Sequence, residues 1–221
     1  MPLYNLLNSK NISRDISSRE KNKNKNVKLA SKFGFEYFDG HRDQGYGGYK
    51  YDGRWVAVSK RAFKKYNILD GFRILDIGCA KGYFVKDLKD LNSNIKVFGI
   101  DISNYALQNC HPDVVGDLKQ GDARKLPFPD NSFDLIFSIN VIHNFSKNEC
   151  VKAIKEMNRV SRRKENIFIQ VDAYNDKKDL ELFKKWVLTA KTCLKPNEWE
   201  KLFIDANFMG DFFWTVLKEK K

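Results

Sequence analysis

The sequence predicts an α/β protein built on a mainly parallel sheet. Short apolar runs of strand length alternate with stretches of helical spacing over residues 70–221, which is the pattern of βαβ units. Residues 73–88, RILDIGCAKGYFVKDL, form the most informative unit: an apolar run, a glycine turn at residues 78–82, then apolar residues at helical spacing. In an open α/β sheet such a turn lies at the carboxyl ends of the strands, where ligands bind.

The remaining elements follow from apolar spacing and from turn residues. After the strand that precedes the glycine turn, further strands are expected at residues 95–100, 113–117, 133–140, 166–172, 192–194 and 211–217. Helices are expected at residues 27–38, 56–69, from 103 onward, 146–160, 178–189 and 197–206, besides the one after the glycine turn. The tryptophans at positions 186, 199 and 214 are expected in the core, because this side chain buries a large apolar area.

The N-terminal third differs in composition from the rest of the chain. The formal net charge is +12, and most of the excess of lysine and arginine lies before residue 70. Residues 1–27, rich in Asn, Lys and Ser, are expected to form a basic, poorly ordered arm. A basic arm fits either a polyanionic partner or a solvated tail. The lack of aromatic residues within 19–28 favours the tail.

Residues 38–55, FDGHRDQGYGGYKYDGRW, combine glycines with aromatic side chains and follow neither a helical nor a strand period. A long aromatic loop of this kind either closes over a site as a lid or packs one segment onto another, and both interpretations stay open. We assign residues 28–69 to an N-terminal cap and residues 70–221 to the main domain. The lid candidates are Tyr46, Tyr49, Tyr51 and Trp55.

Three carboxylates around the glycine turn define the expected ligand. Asp76 precedes Gly78, Asp101 ends the next strand, and Asp122 follows a glycine farther along the chain. A dinucleotide site has the pattern G-x-G-x-x-G and holds pyrophosphate at the helix N-terminus, where Asp76 would repel it. Here Ala80 also occupies the third position of that pattern. Acids suited to an ammonium group, a ribose diol and an adenine amine indicate S-adenosylmethionine instead.

These residues resemble the class I S-adenosylmethionine-dependent methyltransferases, of the small-molecule type in methyltransferase domain families 11 and 25. The matching stretches are LDIGCAKG (75–82), FGIDIS (98–103), GDARKLPFPDNSFDLIFSINVIHNF (121–145) and KEMNRV (155–160). The resemblance implies a Rossmann-like, mainly parallel seven-stranded sheet with helices on both faces and a final antiparallel hairpin. It also implies a donor site made of Asp76, Gly78, Cys79, Ala80, Gly82, Asp101, Ile102, Asp122, Ala123 and Asn140. The commonest family form has glycine where Ala80 stands.

His143 is the candidate general base. It follows the strand end that faces the donor methyl group in this fold, and imidazole titrates near neutral pH. A purely structural role for His143 stays open. Tyr174, after the fifth strand, is a candidate contact to the acceptor. No group of His, Cys or acidic residues has metal-ligand spacing, so no metal is expected.

Three functions remain open on the sequence. The first is methyl transfer to a small-molecule acceptor, such as a sugar, a nucleotide-sugar or another metabolite, which the aromatic cap favours. The second is an RNA methyltransferase that uses the basic arm, and the third is a non-catalytic ligand-binding subunit. Scattered cysteines and the lack of a long apolar stretch favour a cytoplasmic location without a membrane partner.

Overall fold

The computed structural model describes residues 1–8, 12–14 and 17–219, and over these it forms a parallel sheet with helices on both faces. The strands are β1 (Ile12–Arg14), β2 (Arg73–Ile77), β3 (Lys96–Asp101), β4 (Leu118–Gln120), β5 (Leu135–Ile139), β6 (Ile167–Ala173) and β7 (Asp211–Glu219). The helices are α1 (Ser17–Glu20), α2 (Lys23–Ala30), α3 (Phe35–Phe38), α4 (Val56–Tyr66), α5 (Tyr83–Leu91), α6 (Asn104–Gln108), α7 (Lys147–Val160), α8 (Lys177–Trp186) and α9 (Pro196–Asp205). Within the described residues, no helix has both the length and the apolar character needed to cross a bilayer.

The strand order across the sheet is β1-β7-β6-β5-β2-β3-β4, and these six pairings are parallel. From β2 the chain moves outward to β3 and β4, then crosses to the other side of β2 to form β5 and β6. The order therefore reverses between β2 and β5. Loops diverge at such a switch point and leave a crevice at the carboxyl edge of the sheet.

The domain from residue 70 onward contributes six strands and not the seven expected. Residues 192–194 do not form a strand, and Leu194 makes an isolated bridge to Ala173. The segment expected as a strand at 113–117 overlaps a 3₁₀ turn, Pro112–Val114, and β4 follows that turn. The seventh strand of the sheet is β1, three residues of the N-terminal arm that pair with β7.

The prediction of a final antiparallel hairpin is also wrong. β7 runs parallel to β6, with Phe168 opposite Asp211 and Ala173 opposite Val216. The direction follows from α9, which lies between the two strands in the chain and buries Trp199 and Phe203 against the sheet. A helix that crosses one face of a sheet returns the chain to the end from which the previous strand started, so the next strand is parallel.

Apolar side chains cover both faces of the sheet. On one face, α7 and α9 pack over Ile136 and Ile169, and on the other face α4 and α5 pack over Phe137 and Phe168. These four side chains alternate along β5 and β6 and are fully buried. Burial on both faces is typical of parallel sheets, whose crossover helices lie above and below the strands. The two cores together hold the strand ends in fixed positions.

Part of the N-terminal arm packs against the main domain. Leu6 is fully buried beside α4, and the Tyr4 amide donates to the Phe212 carbonyl on β7 at 2.9 Å. The expected poorly ordered arm includes residues 9–11, 15 and 16, which lie outside the described residues. The helix expected at 27–38 is divided, because α2 ends at Ala30 and Phe33, with a φ of +49°, turns the chain before α3.

An ion pair with little solvent exposure connects the cap to the glycine turn. Lys81, in the turn between β2 and α5, donates from Nζ to both carboxylate oxygens of Asp39, at 2.6 and 2.8 Å. Tyr105 Oη donates to the same carboxylate at 2.7 Å, and the Tyr49 amide donates at 3.2 Å. Burial raises the pKa of Asp39, but the hydrogen bonds from Lys81 and Tyr105 outweigh it, so the pKa lies below its usual range.

Two further side chains of the main domain bind the backbone of the cap. Tyr83 Oη donates to the Tyr49 carbonyl at 3.0 Å, and Ser103 Oγ donates to the Phe33 carbonyl at 2.5 Å. The rings of Tyr49 and Tyr83 are also stacked, with their centroids 5.1 Å apart. The aromatic loop is therefore packed onto the loops that follow β2 and β3, which carry the expected donor site.

Replacing Lys81 with methionine (Lys81→Met) is expected to lower the free energy of unfolding by about 2 kcal/mol at neutral pH, because Asp39 loses its cation and keeps weaker donors. The pKa of Asp39 is lowered in the folded protein. Its contribution to stability is therefore present above the unfolded-state pKa and is lost as the pH falls through the folded-state pKa. The difference in the free energy of unfolding between the wild type and the variant should therefore become smaller in acid. Urea denaturation of both proteins at neutral and at acidic pH measures this difference.

Lys185→Met is the matched control. Lys185 Nζ lies 3.1 Å from Glu20 Oε1, and both side chains are about half exposed. An exposed pair of this kind is expected to contribute less than about 0.5 kcal/mol. Equal losses in the two variants would contradict the assignment of the Lys81–Asp39 pair as the main link between cap and domain.

Candidate active site

The glycine turn between β2 and α5 has a backbone shape that allows a ligand to approach closely. Gly78 has a φ of +77°, and a Cβ at this position would lie 2.2 Å from Val141 Cγ2. Ala80 also lies in the left-handed region, with a φ of +51°. This conformation costs a residue with a Cβ about 1 kcal/mol. The Ala80 amide donates to Asp101 Oδ2 at 2.8 Å, which offsets part of that strain.

Asp76, in β2, is a buried carboxyl group to which no described residue donates a hydrogen bond. The residue is 5% exposed. Burial and then the negative charge of Asp101 hold the pKa of Asp76 well above its usual range. Burial and, to a smaller extent, the charge of Asp76 also raise the pKa of Tyr49, a cap residue. A buried carboxylate beside a second acid is stabilised by a bound cation, and an ammonium group fits this requirement.

Asp101, the last residue of β3, is held by backbone amides. Oδ2 accepts from the Ala80 amide and Oδ1 accepts from the Ser103 amide, both at 2.8 Å. Burial outweighs these hydrogen bonds and raises the pKa of Asp101. The two amides fix the orientation of the carboxylate, whose remaining lone pairs can accept the two hydroxyls of a ribose.

Asp122 is paired with Arg124 and is not an isolated acid. Arg124 Nε donates to Asp122 Oδ1 at 2.9 Å and Nη2 donates to Oδ2 at 2.6 Å. The same guanidinium pairs with Glu149. The hydrogen bonds from Arg124 lower the pKa of Asp122 below its usual range. An adenine ring at this end of the site would therefore lie against an ion pair, in which the N–H donors of Arg124 stand beside the acceptor oxygens of Asp122.

A cavity of about 250 Å³ lies over the carboxyl ends of β2, β3 and β5, and we name it the donor cavity. Seven of the ten expected donor-site residues line it, namely Gly78, Ala80, Asp101, Ile102, Asp122, Ala123 and Asn140. The other three, Asp76, Cys79 and Gly82, do not. Cys79 is buried in the core, Gly82 caps the N-terminus of α5, and Asp76 precedes Ile77, which lines the cavity.

A second cavity of about 420 Å³ adjoins the first, and we name it the acceptor cavity. Four residues line both cavities: Tyr37, Tyr46, Asn140 and Thr189. The other walls of the acceptor cavity come from the cap, from the ends of β6 and β7, and from the loop that follows α8. The cap therefore covers a space that is continuous with the carboxyl edge of the sheet.

Asn140 lies at the boundary between the two cavities. It directly follows β5, and its amide donates to the Gln170 carbonyl on β6 at 2.9 Å. Its φ of +59° places this residue in the left-handed region. Backbone strain in residues other than glycine is concentrated at ligand sites, where the surrounding structure enforces it. Asn140 is thus fixed where a donor and an acceptor would meet.

His143 lines the acceptor cavity from the 3₁₀ turn Ile142–Asn144. Nδ1 accepts a hydrogen bond from the Asp172 amide at 3.1 Å and lies 3.5 Å from Asp172 Oδ2. Burial lowers the pKa of His143, and the charge of Asp172 opposes this effect. His143 is therefore mainly neutral near neutral pH. With Nδ1 occupied by an amide, the neutral ring carries its proton on Nε2, which makes that nitrogen a hydrogen-bond donor.

The structure brings only some of the expected acceptor contacts to the cavities. Tyr46 lines both cavities and Tyr49 lines the acceptor cavity. Tyr51, Trp55 and Tyr174 line neither. Tyr51 Oη donates to a carboxylate on α5 at 2.6 Å, Trp55 packs on a phenylalanine of α5, and Tyr174 lies near α9. The sequence shows that this loop is aromatic but does not show which rings face inward.

The acceptor cavity also contains residues that the sequence analysis assigned elsewhere or did not single out. Trp186, expected in the core, lines the cavity, whereas Trp199 is fully buried as expected. Tyr37 and Thr189 line both cavities and were not singled out. Tyr37 directly precedes the aromatic loop at residues 38–55 and lies in the predicted helix 27–38, whose spacing gives no sign of a cavity. Thr189 reaches the site only because the loop after α8 folds back over the carboxyl edge of the sheet.

A family model described as a methyltransferase domain matches residues 75–169. The match begins in β2 and ends in β6, so it contains the glycine turn and all three carboxylates of the donor site. The cap and the elements after β6 lie outside it. The match thus covers most of the residues that line the donor cavity and leaves most of the acceptor cavity unmatched.

Three curated relatives illustrate the range of similar proteins. The malonyl-[acyl-carrier protein] O-methyltransferase of Legionella pneumophila is 36% identical over 92 residues, covering 40% of this chain and 32% of that protein. The demethylmenaquinone methyltransferase of Staphylococcus aureus is 34% identical over 109 residues, covering 46% and 43%. A Mus musculus protein named "Probable tRNA methyltransferase 9B" is 37% identical over 114 residues, covering 48% and 23%. The matches span less than half the length of each of these relatives.

Solved structures show the same fold. The YcgJ protein of Bacillus subtilis has a TM-score of 0.55 and 22% identity, covering 67% of this chain and 66% of that one. The [4+2]-cyclase SpnF has a TM-score of 0.57 and 18% identity, covering 90% of this chain and 74% of that one. At these identities the likeness concerns the fold alone. Together with the family match, it shows that residues 75–169 of this chain form a methyltransferase domain, and that match implies S-adenosylmethionine as the methyl donor.

Proposed function

We propose that this protein transfers a methyl group from S-adenosylmethionine to a small-molecule acceptor. The observation that carries the proposal is the pair of adjoining cavities. The donor cavity is lined by Gly78 of the glycine turn and by Asp101 and Asp122, and cap residues form part of the wall of the acceptor cavity. Asn140 and Tyr46 line both, so two ligands bound side by side would meet at these residues. Small-molecule sites are typically concave, and cap residues contribute to the walls of this one.

The donor site fits S-adenosylmethionine in charge. Asp76 would accept from the ammonium group, Asp101 would bind the ribose hydroxyls, and the turn at Gly78 would let the ligand lie against the backbone. The bound donor supplies an activated methyl group on a sulfonium. The residues of this chain then have to orient the acceptor for in-line displacement and keep water away from it.

We propose that residues 28–69 act as the cap of the acceptor cavity. Tyr46 and Tyr49 form part of its wall, and the pairing of Asp39 with Lys81 fixes the cap to the turn that carries the donor site. Because one loop carries both Lys81 and Gly78, the position of the cap depends directly on the shape of the donor turn. This arrangement favours an acceptor that enters a closed space.

We propose that His143 orients the acceptor as a hydrogen-bond donor. The base role expected from the sequence requires a proton on Nδ1, given to Asp172 Oδ2, so that Nε2 is free to accept. That distance is 3.5 Å, at the long limit of a hydrogen bond, whereas the amide of Asp172 donates to Nδ1 at 3.1 Å. The shorter contact favours the tautomer with its proton on Nε2.

The RNA alternative rests on the net charge of +12 and on the tRNA methyltransferase name of one relative. A base of a polynucleotide would have to pass under the cap while its backbone stayed outside. The cap residues in the wall of the acceptor cavity therefore favour a small molecule. RNA binding would appear as a strong dependence of affinity on salt concentration.

The direct test incubates the full chain with methyl-labelled S-adenosylmethionine and fractions of a metabolite extract. We expect formation of S-adenosylhomocysteine in at least one fraction of low molecular mass, with the label in a product that mass spectrometry identifies. Label found only in RNA would support the alternative. Donor binding without turnover in any fraction would favour the non-catalytic function.

Asp76→Asn is expected to weaken S-adenosylmethionine binding by at least about tenfold, because a charge-assisted hydrogen bond becomes a neutral one. The same change should leave the melting temperature at neutral pH unchanged or raise it. Since the folded-state pKa of Asp76 is raised, the ionised carboxyl destabilises the wild type as the pH rises from the usual range of an aspartate through that raised value. Calorimetric titration and thermal melts at several pH values measure both effects.

Asp205→Asn is the control for the change in net charge, because Asp205 is exposed at the end of α9. It should alter neither donor binding nor the melting temperature. The ammonium assignment fails if Asp76→Asn binds the donor as tightly as the wild type does.

His143→Gln is expected to keep turnover within about tenfold of the wild type, since a glutamine amide also donates a hydrogen bond and loss of a true general base costs about a hundredfold or more. His143→Ala, which removes the donor, should lose more activity than His143→Gln. Both are measured with the extract fraction that supports turnover. A hundredfold loss in His143→Gln, together with loss of the acidic limb of the pH–rate profile, would restore the base assignment.

A further inference from the structure

The acceptor cavity is lined by three arginines, all from the N-terminal part of the chain: Arg19, Arg42 and Arg54. The carboxylate that lines the same cavity is Asp172. Arginine side chains concentrated on one wall of an enclosed space raise the local concentration of anions and bind carboxylate or phosphate groups through paired N–H donors. The balance of charge around this cavity is therefore positive.

Two of the three guanidinium groups already have defined structural roles. Arg19 lies over the ring of Trp186, with Cζ 3.6 Å from the ring centroid, and donates from Nη2 to the Gly45 carbonyl at 2.6 Å. Arg54 forms a bidentate pair with the exposed carboxylate of Asp52. The first arginine shapes the wall, and the charge of the second is largely balanced by its partner.

Arg42 is in a different situation. Its Nη1 donates to the carbonyls of Gly45 and Tyr46, both at 2.9 Å, and no carboxylate among the described residues lies within ion-pair distance. Partial desolvation and, to a smaller extent, repulsion from Arg54 lower the pKa of Arg42, and the hydroxyl groups of Tyr46 and Tyr37 oppose this effect, so the group stays charged. Two carbonyls hold one end of the guanidinium in place. The charge of this exposed side chain is met by backbone dipoles and by the ring of Trp186, and by no opposite charge from the described side chains.

Asp172 does not neutralise Arg42. Its Oδ1 accepts from Thr215 Oγ1 at 2.6 Å, and its Oδ2 lies beside His143. Both oxygens are thus directed to groups at the end of the sheet, on the main-domain side of the cavity. The cap side, which carries Arg42, remains positive.

We propose that the acceptor is an anionic small molecule and that Arg42 binds its carboxylate or phosphate group. This inference deepens the proposed function and rests on it. The acid group would lie on the cap side of the acceptor cavity, beside Trp186, whose ring centroid is 5.3 Å from Arg42 Cζ. The methyl-accepting atom would lie beside Asn140, which lines both cavities. A neutral sugar would leave the charge of Arg42 without a partner, so the proposal narrows the range of acceptors.

The volume of the cavity favours a small acid over a nucleic acid. About 420 Å³ accommodates a molecule of metabolite size, and the cap residues Tyr46 and Tyr49 form part of the wall. A polynucleotide needs an open, positively charged groove along which its backbone can run. Among the lining residues the positive charge comes from the three arginines inside the cavity and does not form such a track.

The test uses the full chain saturated with S-adenosylhomocysteine, and its probes are sodium malonate for a carboxylate and inorganic phosphate for a phosphate group. We expect at least one probe to bind with millimolar affinity in calorimetric titration, and the stronger probe identifies the acid group of the acceptor. Arg42→Gln should weaken that binding about tenfold, the scale of one charge-assisted hydrogen bond. Arg42→Lys, which keeps the charge, should retain part of the affinity.

Lys60→Gln is the matched control, because it removes one positive charge from an exposed position on α4 and should leave probe binding unchanged. S-adenosylhomocysteine binding is measured for each variant and confirms that Arg42→Gln is folded. If the wild type does not bind S-adenosylhomocysteine, the proposed function fails together with this inference. If it does, and neither probe binds or Arg42→Gln binds them as tightly as the wild type, only the anionic acceptor is overturned. A short single-stranded RNA that binds while both probes fail would have the same consequence.

Discussion

The site depends on one electrostatic constraint: the buried carboxyl group of Asp76 lies near the partly buried carboxylate of Asp101, behind a turn with no large side chain. Asp76 and Asp101 each have a raised pKa because burial disfavours their charged forms, and the charge of Asp101 adds to the effect on Asp76. Backbone amides of the turn satisfy Asp101, whereas no described residue donates to Asp76. The folded domain therefore contains an unfavourable arrangement that a cationic ligand relieves, which couples the free energy of ligand binding to this one point of the sheet.

The cap and the turn of the donor site are connected by an ion pair. Lys81 belongs to the same short turn as Gly78 and Ala80, and its ammonium holds Asp39 of the cap. A change in the conformation of the turn on ligand binding would therefore be transmitted to the cap through this ion pair. Since cap residues form part of the wall of the acceptor cavity, such a change would also alter the shape of that cavity.

Local pattern was sufficient to predict the strand, the glycine turn and the helix that follows, because apolar spacing and turn residues determine these elements locally. It was not sufficient for features set by distant parts of the chain. Residues 192–194 have strand-like composition but make an isolated bridge to β6, and the parallel direction of β7 depends on how α9 packs. Trp186 lines a cavity and not the core because the arginine stacked on it comes from residue 19, more than a hundred and sixty residues away.

The two adjoining cavities differ in the balance of their charged lining residues. The donor cavity is lined by two acids and two basic residues, Asp101, Asp122, Arg124 and Lys191, whereas the acceptor cavity is lined by three arginines and one aspartate. The proposed anionic acceptor therefore matches the acceptor cavity better than the donor cavity. Asn140 lines both cavities, directly follows β5 and is held by the hydrogen bond from its amide to the Gln170 carbonyl on β6, so the point at which the two proposed ligands would meet is fixed by the edge of the sheet.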